Sequence, residues 1–378
     1  MSAAAAITSE LTTRAYAATA WPEVAPVWAE LERECPRASF FLSEVWVETW
    51  IETFGPGLDV SILVFEAAGR AVGACLLVAA KRRSALLPVR RISLNASGEA
   101  DSETTYIEFN DLLCRQGYEV AIAEALAGHL SGRQWDEITL DGFCQGPAYG
   151  ALKGVLRRLD LEENWKPSYF VDLAAIRKKG TPYEIALSGS IRRKLRERSR
   201  YQAEAGPLRL DAAGDVPAAC AMLESLAELN QRRWSGQGSA SAFASPRFLA
   251  FHRSLIRKCF SAGAIQLLRV SAGAQTVGVL YNFVYRGKVY FYQCGFHYTE
   301  DRRLSPGRVT LAMAIQYSLD AGLEDFDFMA GESSHKKELS TGARNLVWAE
   351  FRRRSLKITV LNRLRQLKRR MAARASRP

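Results

Sequence analysis

The chain carries one structural pattern twice, and this repeat constrains its fold more than any other feature. Phe41-Leu42-Ser43 opens a helix-like stretch through Trp46, Trp50 and Ile51 that ends at Gly55. A strand follows at 60–65, then a turn at Ala68-Gly69-Arg70, then a second strand, Val72-Gly73-Ala74-Cys75-Leu76-Leu77-Val78. Later, Ser245-Pro246 opens a helix through Phe248, Phe251 and Leu255 that ends at Gly263. A strand at 265–270, a turn at Ala272-Gly273-Ala274 and Val277-Gly278-Val279-Leu280-Tyr281 complete the second copy. The two helix-ending glycines are 208 residues apart and the two Val-Gly pairs 205 apart. Proline at the first helical position and glycine after the last are the punctuation expected of helices.

The remainder of each half runs in parallel. The first half predicts strands at 91–95 and 106–113, a helix at 119–130 and a strand at 137–140. The second predicts a strand at 288–296, a helix at 307–319 placed by Val309, Met313 and Tyr317, and a strand at 325–328. Helix, hairpin, central strand, helix, strand is an α/β (α+β) unit with a mixed sheet. A length of 378 residues accommodates two such units. The expected division is 1–180, 181–350 and a tail at 351–378, with the boundary falling between Asp172 and Ser188.

The tail explains the charge. The net charge is +11, yet residues 351–378 hold eleven Lys/Arg and no acid, so the remaining 350 residues balance. Val360, Leu364, Leu367 and Met371 recur at helical spacing among Arg363, Arg365, Lys368, Arg369 and Arg370. Three readings stay open: an apolar stripe docked on the body, a helix lying on anionic lipid, or a nucleic-acid contact. A second basic run, 191–200, reads as a solvated helix connecting the halves.

Several classes are excluded. No apolar run approaches the ~18 residues that span a bilayer, and Met1–Ala6 lacks the features of a secretory signal. A cytoplasmic protein is expected, with the inner membrane face open to it through the tail. The seven cysteines form no C-x-x-C pair and the four histidines are scattered, which suits reduced core thiols and no metal site.

The residues resemble a family. Leu229-Asn230-Gln231-Arg232-Arg233-Trp234, Tyr290-Phe291-Tyr292-Gln293-Cys294-Gly295-Phe296, Leu304-Ser305-Pro306-Gly307 and the run from Phe326 through Gly331-Glu332 to Lys337 carry the likeness, with Tyr106–Asp111 in the first half. Over most of 35–350 the chain resembles GNAT-superfamily acyltransferases in their tandem FemAB-like arrangement, and CelD-type proteins of cellulose and exopolysaccharide synthesis most of all. The resemblance implies transfer from acetyl-CoA or another acyl-CoA to an amine such as an amino sugar, with the chemistry in the second half. It also implies a central strand, 289–296, that splays from its neighbour and exposes backbone N–H groups. The superfamily's pyrophosphate signature, a Gln or Arg followed by G-x-G or G-x-A, is incomplete here, and only Arg303, Gly307 and Arg308 approximate it.

Residue chemistry gives candidates for each task. Ser305-Pro306-Gly307-Arg308 lies between a strand and a helix, where free N–H groups and the helix dipole suit a diphosphate, with Arg303 and Arg308 adding charge. A helix start without a ligand is the alternative. Asp327, Glu332 and His335 are candidates to take the amine proton, and Tyr292 to protonate the leaving thiolate. A strand-end hydrogen bond for Asp327 and a core aromatic for Tyr292 remain open. Gly331 allows a turn beside a ligand, where Lys336 either holds an anion or is solvated. Arg233 and Trp234 either frame the acceptor pocket or pack on the sheet. Two other functions stay in view: an aminoacyl-tRNA-dependent transferase, and a non-catalytic scaffold recruited by the tail to membrane-bound polysaccharide-synthesis machinery.

Overall fold

The computed structural model describes residues 11–84, 87–95, 99–235, 241–301 and 303–364. In chain order the first part forms β1 (Thr12–Ala17), α1 (Trp21–Glu34), α2 (Glu44–Phe54), β2 (Asp59–Ala67), β3 (Arg70–Ser84), β4 (Leu87–Leu94), β5 (Leu113–Cys114), α3 (Glu119–Ser131), β6 (Glu137–Cys144), α4 (Pro147–Val155) and β7 (Asp160–Asp172). Then come α5 (Leu173–Lys178), α6 (Tyr183–Ala186), α7 (Gly189–Gln202), β8 (Leu208–Ala212), α8 (Val216–Ser235), α9 (Pro246–Cys259), β9 (Ile265–Ala272), β10 (Gln275–Tyr285) and β11 (Lys288–Phe296). The series closes with α10 (Pro306–Asp320), β12 (Asp325–Ala330), α11 (Ser334–Leu339), β13 (Gly342–Arg352) and a helix at 356–364.

Two compact units result. The first gathers the chain up to Glu99, Tyr106–Trp165 and the residues from Leu346 on; the second gathers Ala100–Thr105 and Lys166–Asn345. The first unit's sheet has the order β1-β2-β3-β4-β6-β13, with β5 beside β3. All its pairings are antiparallel except β4 with β6. The second unit's sheet has the order β7-β12-β11-β10-β9-β8, antiparallel except for β11 with β12. The sequence repeat is therefore a topological repeat, and the expected α/β class with mixed sheets and flanking helices is what the chain adopts. Each unit completes its sheet with a strand from the other half of the sequence: β7 pairs with β12, and β13 pairs with β6.

The repeated residues have repeated jobs. Ser43 caps α2 by accepting from the Trp46 N–H, and Ser245 caps α9 by accepting from the Phe248 N–H, each at 3.3 Å. The Val-Gly pairs let a helix come down on the sheet. A Cβ on Gly73 would lie 2.3 Å from the Ile122 side chain of α3, and one on Gly278 would lie 2.7 Å from the Thr310 hydroxyl of α10. One face of the first sheet packs on α3 and α4 through residues such as Phe65, Leu94, Leu140 and Phe351. The second unit's main cluster joins Phe291, Phe326 and Phe328 of its sheet to Leu311 and Ile315 of α10 and Leu195 of α7.

Three expectations are corrected. Residues 106–112 form no strand; apart from a single bridge between Asn110 and Phe143, only Leu113–Cys114 pairs, because positive φ angles at Tyr106 (47°) and Phe109 (54°) break an extended run. The basic run at 191–200 belongs to α7 inside the second unit, anchored by buried Leu195. The tail does not begin at 351, since Phe351 and Arg352 end β13 and Phe351 is core. Helix 356–364 docks by Ile358 and Leu361 against Val89, leaving Val360 48% exposed. The docked stripe is thus not the one that Val360 and Leu364 suggest. Leu367, Met371 and the basic residues from Arg365 on lie outside the described residues. Among the described residues no helix is long and apolar enough to cross a membrane.

Candidate active site

In the second unit, β11 and β12 run parallel only at Lys288–Asp325, Val289–Phe326 and Tyr290–Asp327. Beyond that point β11 continues to Phe296 against β10 alone. Both strands are bulged where they part. In β11, Phe291 and Gln293 pair with Asn282 and Tyr281, so Tyr292 is an extra residue. In β12, Asp327 and Ala330 pair with Phe170 and Ser168 of β7, and Met329 sits at φ +61°. A bulge bends its strand and breaks the ladder locally, so two facing bulges open the sheet.

Asp327 holds this geometry and has a different part from that of a base. It is fully buried, accepts from the Ser168 hydroxyl at 2.6 Å and from the Met329 N–H at 2.8 Å, and faces Arg344 at 3.5 Å and Lys288 at 3.6 Å. A carboxylate so engaged fixes the strand end. Ser168 and Arg344 come from β7 and β13, 159 residues before and 17 residues after it in sequence, so no local pattern announces them. Nearby Asp325 pairs with Arg344 at 2.5 Å, and burial still pushes its carboxyl up.

Tyr292 is likewise engaged. Its hydroxyl donates to the Thr105 carbonyl at 2.5 Å, and its ring packs beside His252, Tyr281 and Phe283. His252 is fully buried in this aromatic cluster, and burial pushes its pKa down to about 3. Lys336 closes the end of β12 by donating to the carbonyls of Met329 and Ala330, both at 3.1 Å. Gly331 makes the turn at φ +113°, with its N–H on the Pro167 carbonyl. Glu332 is exposed.

His335 sits half-buried on α11. Burial, with Arg308, Lys336 and Arg233 around it, holds its pKa below the usual imidazole range. The ring is therefore neutral at pH 7 and able to accept a proton. Arg233 stacks over Tyr298, 5.2 Å from the ring centroid, and donates to its hydroxyl at 3.2 Å; Trp234 beside it is 37% exposed. Cys294 of β11 lies within the fields of Arg233 and Lys336, while burial pushes its thiol up to about 11. Arg233, Cys294, His335, Lys336 and Arg308 thus share one electrostatic neighbourhood.

The start of α10 completes the site. Ser305 precedes it, Pro306 is its first residue, and its first turn holds no acid. A helix start leaves backbone N–H groups without helical partners, and Gly307 and Arg308 carry two of them here. Gly307 lies against Phe296, where a Cβ would come within 3.3 Å of the ring. Arg308 pairs with Glu338 at 2.9 Å, and Arg303 with Asp301 at 2.7 Å and Glu204 at 3.7 Å. Both arginines are balanced by acids, so what this helix start has to offer an anion is its backbone N–H groups and its dipole.

One contact was not singled out from the sequence, although its residue stands in the run 229–234 that carries the family resemblance. Asn230 of α8 donates to the Cys294 carbonyl at 3.1 Å and accepts from the Ser241 hydroxyl at 2.7 Å. Gly295 permits this, because a Cβ there would meet α8 at 2.7 Å. Among the described residues no group of His, Cys, Asp and Glu is placed to hold a metal.

Residues 189–337 match the family model described as an acetyltransferase (GNAT) domain. That stretch runs from the start of α7 into α11 and contains the whole β11–α10–β12 arrangement. No curated protein sequence matches the chain. Among solved structures the chain is similar to FemX, at 10% identity and a TM-score of 0.54, over 86% of this chain and 95% of that one. It is also similar to a conserved protein of unknown function from Bacteroides thetaiotaomicron, at 8% identity and a TM-score of 0.52, over 91% and 100%. A third is the C-terminal domain (DUF2156) of a candidate lysylphosphatidylglycerol synthetase from Agrobacterium fabrum, at 11% identity and a TM-score of 0.50, over 88% and 92%. At these identities the likeness is one of fold, and it extends over both units.

Proposed function

We propose that the chain is an N-acyltransferase whose second unit takes an acyl group from an acyl-CoA and passes it to an amine. The observation that carries this reading is the parting of β11 and β12 after Tyr290–Asp327 beside the acid-free start of α10. The residues present fit a diphosphate-bearing thioester: α10 offers N–H groups to the diphosphate, and the opened strand edge offers backbone donors to the thioester oxygen. Acyl-CoA supplies the activated carbonyl and the thiolate leaving group. The amine nitrogen attacks that carbonyl, the C–S bond breaks, and His335 takes the proton that the nitrogen loses. Burial, with Arg308, Lys336 and Arg233 around it, favours the unprotonated form of His335 for this step. From the resemblance to CelD-type proteins, the acceptor is an amine of exopolysaccharide or envelope assembly. Acetyl-CoA hydrolysis-corrected transfer to a panel of amino sugars tests the reading, and a folded protein that shows neither donor binding nor transfer refutes it.

A second reading has its own observation. α7 carries Arg192, Arg193, Lys194, Arg196, Arg198 and Arg200 against the single acid Glu197, and Arg193, Lys194 and Arg200 are exposed. Such a helix suits the phosphates of an aminoacyl-tRNA donor. The A. fabrum relative is named for making an aminoacylated lipid, which keeps aminoacyl transfer among the chemistries to test. tRNA binding that weakens steeply with salt, with no acetyl-CoA binding, would favour it.

A further inference from the structure

The proposed transfer site has more positive charge around it than its own acids balance. The charges whose fields bear most on His335 are Arg308 of α10, Lys336 of α11 and Arg233 of α8, against the single acid Glu338. Arg308 pairs with Glu338 at 2.9 Å. Lys336 donates to the Met329 and Ala330 carbonyls, which are dipoles and not counter-charges. Arg233 pairs with no acid among the described residues; one nitrogen of its guanidinium donates to the neutral Tyr298 hydroxyl at 3.2 Å.

Contacts on two sides fix Arg233 beside the site. One turn earlier on α8, Asn230 donates to the Cys294 carbonyl at 3.1 Å, and Gly295 lets α8 lie against β11 there. On the other side, the Tyr298 ring meets Phe296 edge-on with 6.1 Å between centroids, and Phe296 lies against Gly307 at the start of α10. Arg233 therefore belongs to a chain of contacts that runs from β11 to the helix start. Tyr298 is 52% exposed and Trp234 37%, and the Arg233 guanidinium is 5.2 Å from the first ring centroid and 5.9 Å from the second. An arginine without an acid partner, beside two uncovered rings, has the composition of a recognition surface, where Arg, Tyr and Trp are enriched.

This charge bears on what can enter. An alkyl amine is itself a cation in water at pH 7, so surplus positive charge disfavours its approach. A negative group on the same molecule reverses that. A guanidinium presents a planar fork of donors that matches a carboxylate or a phosphate, and Arg233 spends only one nitrogen on Tyr298. We propose that the acceptor is an amine that also carries an anionic group, a carboxylate or a phosphate, and that Arg233 holds this anion beside Tyr298 and Trp234. Resting on the acyl-transfer reading of the site, this narrows its substrate to anionic amines. The anion takes no part in the bond changes; it anchors the acceptor while the amine nitrogen meets the thioester.

Glucosamine, glucosamine 6-phosphate and glucosaminuronic acid present the same amine with no anion, with a phosphate and with a carboxylate. Calorimetry on the full chain with free CoA present measures their affinities, beside steady-state transfer from acetyl-CoA to each. At least one anionic sugar is expected to bind about tenfold or more tighter than glucosamine, and the one that gains more names the anion. Arg233→Gln, checked for folding by its unfolding temperature, is expected to lose that advantage and to keep its acetyl-CoA affinity. Arg233→Lys, which keeps the charge without the fork, is expected to retain part of it. Equal affinity for the three sugars, or an advantage that persists in folded Arg233→Gln, would overturn the proposal and leave acyl transfer to neutral amines standing. Weakened acetyl-CoA binding in Arg233→Gln would give the arginine to the donor's phosphates and overturn it as well. Transfer to none of the three, with no acetyl-CoA binding by the wild type, would refute the acyl-transfer reading itself and the anionic acceptor with it.

Discussion

In the first unit the parallel pairing of β4 with β6 stops at Ser93–Thr139, and in the second that of β11 with β12 stops at Tyr290–Asp327. The same topology therefore opens the same kind of gap twice. In the first unit the gap is filled. Asn110, fully buried, donates to the Leu94 carbonyl at 3.0 Å and the Asp141 carbonyl at 3.2 Å, bridging the two diverging strands. Its own oxygen accepts from Asn95 at 3.1 Å, and its backbone pairs with Gly142 and Cys144. In the second unit both bordering strands are bulged, and Asp327 satisfies one strand end from within. The helices differ as well. α3 begins with Glu119, whose carboxylate already accepts from the Gly117 N–H, whereas α10 begins without an acid. An acid at a helix start occupies the place that a diphosphate would take. One fold thus supplies a sealed gap and an open one, and a handful of polar residues decides which.

The contrast can be broken most sharply at His335. His335→Phe should lower transfer by about 10²–10⁴-fold while leaving acetyl-CoA affinity unchanged, as steady-state rates beside calorimetry would show. Equal loss of donor affinity would mean that the residue holds the donor. The rate of the unchanged enzyme should also fall at acid pH, once the ring is protonated, because its pKa lies below the usual range.

Asn110→Ala should act on stability alone. Each buried group it strands costs about 1–3 kcal/mol, and chemical denaturation should show a loss of that order in the first unit. Donor affinity should stay the same, and a new donor site appearing in the first unit would show that the plug and not the helix start is decisive.

His252 makes the second unit's stability depend on pH. Its folded pKa of about 3 lies below the unfolded value, so the unfolded chain binds the extra proton between those values. Its contribution is complete above about pH 6.5 and shrinks as pH falls, by ~2 kcal/mol between pH 7 and pH 5. Unfolding of wild type and His252→Leu at both pH values measures this, and a variant that keeps the same pH dependence contradicts it.

The smallest effects concern helix 356–364. Ile358→Ala should destabilise by about 1–2 kcal/mol, toward the low end for a buried apolar truncation because its cluster is small. Val360→Ala should stay within about 0.5 kcal/mol, as exposed positions do. The reverse ranking would restore the stripe that the charge pattern suggests.

Much of this contrast is legible in the sequence, but not its cause. The Val-Gly pairs, the serine caps and the Pro-Gly helix start fix the elements locally, so the repeat can be read without coordinates. The strand exchange cannot, because β7 and β13 each pair with strands far away in sequence. For the same reason the sequence leaves Asp327 open between a base and a strand-end hydrogen bond, and only Ser168 and Arg344 show it engaged as the latter. Residues 106–112 read as a strand from their apolar content, yet the positive φ at Tyr106 and Phe109 turns them into the support for Asn110. The motif runs single out His335, Gly307 and Arg233 without relating them, and the shared electrostatic setting of His335, Arg308 and Arg233 emerges only when α8, α10 and α11 are brought together.

The most direct test of the account is the number of donor sites per chain. Calorimetric titration of acetyl-CoA, with free CoA beside it, should give one site in the wild type and none in folded Gly307→Trp, where the side chain would meet Phe296 at the start of α10. Two sites, or one site that survives in Gly307→Trp, would contradict the assignment of an open donor gap to the second unit and a sealed one to the first.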